Sequence, residues 1–84
     1  MSLTKEYAEL EELVIETAED HAHYPDTSER MTAMTHLFRE IGWTVGRSRF
    51  HDRPMVTRQL VQVASETYVA TRRAIAAERR AVAA

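Results

Sequence analysis

The stretch "LFREIGWTVGRSRFHDRPMVTRQLVQVAS", Leu37 to Ser65, decides how the fold is read. Both of its flanks carry apolar residues three or four apart, which is the spacing of one helix face. Extended leftwards, the first flank gives a stripe of Met31, Met34, Phe38, Ile41 and Val45. Asp26 with Glu29 three residues later resembles a capping box with Asp in the Ser/Thr place. Gly46 and the polar run Arg47-Ser48-Arg49 mark the other end, so a helix is expected over about 27–46. Gly42, near the stripe's edge, is an expected place of close backbone approach. The connection "RSRFHDR" has a length usual between bundle helices. The next helix should begin near Asp52 with Pro54 in its first turn, where a missing N–H costs little. Its seam reads Val56, Leu60, Val63, Thr67, Ala70 and Ala74, widened by Ala64, Tyr68, Thr71 and Ile75, over about 54–80. The closing "AAERRAVAA" favours helix by propensity, has little to bury, and is expected to fray.

Upstream, Leu3, Tyr7, Leu10, Val14, Thr17 and His21 form a third stripe, widened by Leu13 and Ala18. This predicts a helix over about 3–22, capped by Ser2 or Thr4 and ended by Tyr24-Pro25, since a residue before proline avoids helical angles. No strand-like alternation and no repeat is present. The expected fold is all-α: one domain over 1–84, an antiparallel three-helix unit completed by oligomerisation.

Composition narrows the function classes. Eighty-four residues without cysteine exclude disulfides and thiolate zinc sites, and a chain this short buries only about 60–65% of its unfolded surface. Short chains often gain core from a partner subunit. No apolar run is long enough for a membrane span, and the acidic start lacks an apolar signal core, so a cytoplasmic protein is expected. The net charge of −2 hides a division: residues 1–30 hold nine acids against Lys5 and Arg30, while residues 31–84 hold nine arginines against Glu40, Asp52, Glu66 and Glu78. Such asymmetry suits helix pairing within or between subunits.

At 100° per residue, His36, Arg39, Glu40, Trp43 and Arg47 fall away from the Met31–Val45 stripe. A tryptophan there is expected to meet another helix, a subunit or a ligand. Gln59, Gln62, Glu66 and Arg73 share a second face of the last helix. Trp43, Val61, Val69 and Ile15 are left over by a three-stripe core, which predicts a symmetric homodimer.

"LFREIGWTVGRS" and "TRQLVQVAS" together resemble the two motif helices of the MazG-like all-α nucleotide pyrophosphohydrolases, and "HYPD" resembles a polar turn before the first of them. The resemblance covers roughly residues 20–75 and rests on order, spacing and the phrase "LVQVAS". It implies that an E-x-x-E helix and an E-x-x-D helix face one another over magnesium, which bridges a triphosphate and activates water. Carried over, the paired glutamates fall on Arg39 and Glu40, the glutamate after the glycine on Trp43, and the second motif's acids on Gln59 and Gln62. One carboxylate of five remains. A guanidinium and an indole cannot ligate magnesium, which wants carboxylate oxygens and substrate phosphates. No catalytic residue is therefore assigned.

Glu40, Glu66 and His36 are the residual metal candidates, together with the i,i+4 pairs Glu19–His23 and His36–Glu40. Arg39, Trp43, Arg47, Gln59 and Gln62 are the ligand or interface candidates. The expected function is a non-catalytic MazG-like helical binding protein that self-associates, of the reduced kind carried by phages, with no cofactor. Its expected partners are a second copy, another protein, or a nucleotide. Two rivals stand beside it. One is a weak magnesium-dependent nucleoside triphosphate pyrophosphohydrolase using Glu40, Glu66 and His36. The other is a nucleic-acid-binding module using Arg47, Arg49, Arg53 and the Arg72–Arg80 segment, which the overall acidity disfavours.

Overall fold

The computed structural model describes residues 3–23 and 30–83. Three helices follow one another, α1 (Leu3–His23), α2 (Arg30–Gly46) and α3 (Pro54–Ala83), and no strand occurs among the described residues. The all-α expectation holds with three helices, and the expected start of α2 near residue 27 lies outside the described residues. Arg53 precedes α3 and its carbonyl accepts from the N–H groups of Val56 (3.1 Å) and Thr57 (3.3 Å), so Pro54 takes the first helical position. The segment expected to fray stays helical to Ala83. Ser2, Tyr24-Pro25, the Asp26/Glu29 cap and the side chain of Met31 lie outside what is described.

Helix direction follows from cross-helix contacts. His21 meets Glu40 and Glu6 meets Arg49, so α1 and α2 are antiparallel. The Tyr7 hydroxyl donates to Gln59 (3.4 Å) and Arg72 donates to the Ala22 carbonyl (3.1 Å), so α1 and α3 run parallel with an offset near fifty residues. The α1–α3 face is the largest in the bundle.

The stripes differ from their expected registers. The buried rows are Leu10, Val14, Ala18, Ala22 on α1, then Ala33, Leu37, Ile41, Val45 on α2, and Leu60, Ala64, Tyr68 on α3. Each row advances by four, which turns about 40° round the helix per step. A seam alternating three and four stays straighter, so the two drift apart. Leu37 is fully buried, whereas Met34 and Phe38, placed at the stripe's centre from sequence, flank the core. Leu3 and Leu13, expected inside, are 38% and 47% exposed, and Ala70 and Ala74 are exposed too. Alanines recur in the rows beside large residues, which lets helices approach closely.

The connection between α2 and α3 is more than a linker. Phe50 is buried and its ring meets Tyr7 edge-on, centroids 5.9 Å apart. Ser48 sets this up: its hydroxyl donates to the Val45 carbonyl (2.6 Å) and accepts from the Phe50 N–H (3.1 Å). Val61 and Val69, assigned from sequence to a subunit interface, pack against the core of their own bundle. Beyond the backbone of its own helix, nothing comes within 4 Å of where a Cβ on Gly42 would stand, so no other helix makes the expected close approach there.

The molecule is extended for its mass. Its accessible surface of 6307 Å² exceeds the about 5,100 Å² of a compact 9.7 kDa monomer. The radius of gyration, 14.4 Å, exceeds the about 12 Å expected of a compact chain of this length.

Candidate functional site

On α2 and the residue just after it, His36, Arg39, Glu40, Trp43 and Arg47 lie off the buried row, all exposed. Trp43 is 63% exposed. An indole this open leaves most of its large apolar surface in water, an arrangement typical of interface anchors. Arg47 lies one turn on and its Nε donates to the Trp43 carbonyl (3.3 Å), which holds the guanidinium close to the indole's own backbone. Arg39 lies one turn back. The face therefore presents an aromatic ring between two cations.

Glu40, the one carboxylate kept from the resembled motif, is engaged by α1. Its Oε2 lies 2.5 Å from His21 Nε2, with both side chains partly in solvent. With the proton on Nε2 the imidazole donates to the carboxylate. His21, read from sequence as part of the α1 stripe, is thus half-buried and serves a cross-helix contact. No single-helix pattern could have revealed that.

On α3 the row of Gln59, Gln62 and Glu66 also faces outward. The Gln62 amide donates to Glu66 Oε1 (3.0 Å). Gln59 and Gln62 border an open groove of about 470 Å³ whose other walls are Tyr7, Met55, Arg58 and Val63. These walls come from α1 and α3, with no residue of α2.

The two rows that the resemblance would bring face to face are therefore not brought together. Arg39, Glu40 and Trp43 look out from α2, and Gln59 and Gln62 look out from α3. Glu66 is occupied by Gln62, and Glu40 by His21. His36 stands exposed on α2. In the Glu19–His23 pair, His23 Nδ1 lies 2.8 Å from the Glu19 backbone carbonyl, so the ring is used locally. Among the described residues no group of three His, Asp or Glu side chains is placed to hold a metal ion, and no helix is long and apolar enough to cross a membrane.

The groove and the Arg49–Glu6 contact (3.6 Å) were not foreseen. Met55 and Arg58 sit in the first turn and a half of α3, and only the parallel pairing of α1 with α3 sets Tyr7 beside them. Comparison with protein-family models, with curated proteins and with solved structures finds no match.

Proposed function

We propose that this chain is a helical interaction protein that self-associates and offers the Arg39–Trp43–Arg47 face of α2 to an acidic, apolar-bearing protein surface, without hydrolysing nucleotides. The observation that carries the reading is Trp43, 63% exposed between two exposed arginines. Tryptophan and arginine are the side chains most enriched where binding energy concentrates. The MazG-like resemblance belongs to the same proposal, as a relationship in which the metal-holding carboxylates have given way to Arg39, Trp43, Gln59 and Gln62. The pairing of Glu40 with His21 supports it, because that carboxylate already has a partner. The extended surface supports self-association.

Two measurements test the two halves. Sedimentation of the full chain should show mass rising toward a dimer across the micromolar range, and monomer alone at high micromolar concentration would refute self-association. Trp43 is the only tryptophan, so its emission reports on the α2 face directly. A synthetic amphipathic peptide with leucines flanked by glutamates should move that emission to the blue, and R39E/R47E should abolish the shift. An emission unmoved by the peptide, or moved equally in the variant, would overturn the binding assignment.

A further inference from the structure

The end of α3 is exposed along its last two turns. The Arg72 contact with the Ala22 carbonyl sets the close of α1 level with Arg72. Residues 74–83 continue beyond that level, a length of about 15 Å at 1.5 Å per residue. Every residue from Ala76 to Ala83 is exposed, with Val82 at 84%. The row Leu60, Ala64, Tyr68 that faces the core runs on, at the same helical angle, through Arg72, Ile75, Arg79 and Val82. Ile75 is still partly buried, and from Ala76 onward the segment repeats the inward face of α3 in the open.

A complementary surface stands on α1. Opposite its buried row it carries Glu9, Glu12, Glu16, Glu19 and Asp20, all exposed, with Leu13 47% exposed among them. Neither of the two ion pairs among the described residues uses any of these five acids, nor Arg79 or Arg80.

We infer that the projecting segment of α3 docks on the outer face of α1 in a second copy, and reciprocally, in a two-fold dimer. The inference rests on the self-association proposed above and names its surfaces. Because α1 and α3 are parallel, the projection and the last turns of α1 lie at the same end of the molecule. Two copies brought together end to end and antiparallel therefore overlap there, each projection spanning about the last ten residues of the other's α1. In that register Val82 comes level with Leu13 and Arg79 with Glu16, while Asp20 lies one turn on, level with Ile75. Two small apolar contacts then lie between rows of opposite charge. The two-fold axis repeats the same pairing, as an isologous contact requires. Such an interface is polar and partly wet, so its affinity falls with added salt. A specific complex of standard size buries about 600–1,000 Å² of each partner, which lies within the surplus of about 1,200 Å² that this chain has over a compact monomer. Trp43 takes no part and stays available on α2.

Complementary charge reversal tests this with the full chain. R79E/R80E makes the projection acidic against acidic α1. E16R/D20R makes α1 basic against a basic projection. All four positions are exposed, so both variants should keep the helical spectrum of the parent. Each alone should dissociate at least tenfold more readily than the parent in sedimentation equilibrium at low salt. An equimolar mixture should form a heterodimer, because both of its contacts join opposite charges. Variants that dimerise as the parent does, or a mixture that stays monomeric, would overturn the assignment of surfaces while leaving self-association standing. A parent that is monomeric throughout would remove self-association itself.

Discussion

Replacing Leu37 by alanine separates the four-step register of α2 from the straighter stripe that the sequence suggests. Leu37 is fully buried between Ala33 and Ile41, whereas Phe38, one position on, only flanks the core. Truncating a fully enclosed leucine removes its transfer free energy and leaves a cavity, which together cost about 2–5 kcal/mol. A domain of this size has roughly 4–13 kcal/mol in total at 0.05–0.15 kcal/mol per residue, so the change takes a large share. At about 4–8 °C per kcal/mol for small domains, a loss of about 3 kcal/mol lowers the midpoint by roughly 12–24 °C. Circular dichroism melting at one fixed protein concentration measures this, since association would otherwise shift the midpoint. Phe38→Ala is the control and should cost less than Leu37→Ala despite deleting a larger side chain. If Leu37→Ala melted within a few degrees of the parent while Phe38→Ala collapsed the fold, the α2 register would be wrong by about one residue's rotation.

Gly42 stands inside α2 with open space where a Cβ would go. Gly42→Ala should therefore stabilise the chain by about 0.5–1 kcal/mol through helix propensity and the lost freedom of the unfolded chain; a melting point that fell instead would reveal something pressing on that face. Magnesium-dependent pyrophosphate release from common nucleoside triphosphates is not expected. Glu40→Gln, at a solvent-facing contact with His21, should change stability by no more than about 1 kcal/mol. Release of pyrophosphate by the parent that Glu40→Gln abolishes would reinstate the hydrolase reading.

The helical class and the boundary between α2 and α3 were legible because their signals are local. Pro54 opens α3, and Gly46 with its polar successors closes α2. The rotation of each helix was not. On α2 the apolar residues Ala33, Met34, Leu37, Phe38, Ile41 and Val45 cover a broad arc, and either edge of it can serve as a centre. What selects Ala33 and Leu37 is the surface brought up by α1 and α3, where small residues allow close approach. Phe50 was hidden for a related reason. Among arginines, a serine and a histidine it looks like part of a polar turn, and only Tyr7, forty-three positions earlier, gives it somewhere to go. For the candidate site, sequence set Arg39, Glu40, Trp43 and Arg47 away from the apolar stripe, and all four are exposed. It could not show that Glu40 reaches His21, nor that Gln59 and Gln62 look out over a groove shared with α1, because both depend on how separate helices are paired.

The parallel arrangement of α1 and α3 also governs how the chain reaches this structure. Helical proteins commonly fold fast because their contacts are local in sequence. Here the largest interface joins residues about fifty positions apart, and α1 cannot form it until roughly thirty intervening residues have been brought round. Closing a loop of that length directly costs on the order of 3 kcal/mol of chain entropy, beyond the constant for closure, whereas the contacts of α1 with α2, such as His21–Glu40, span a shorter separation. The α2–α3 hairpin, built across the short Ser48–Phe50 turn, bears no such delay. Folding is therefore expected to be slower than helix content alone suggests, with a refolding rate that responds to substitutions at Val14 and Leu60 more than to helix propensity, as stopped-flow refolding of those variants would test.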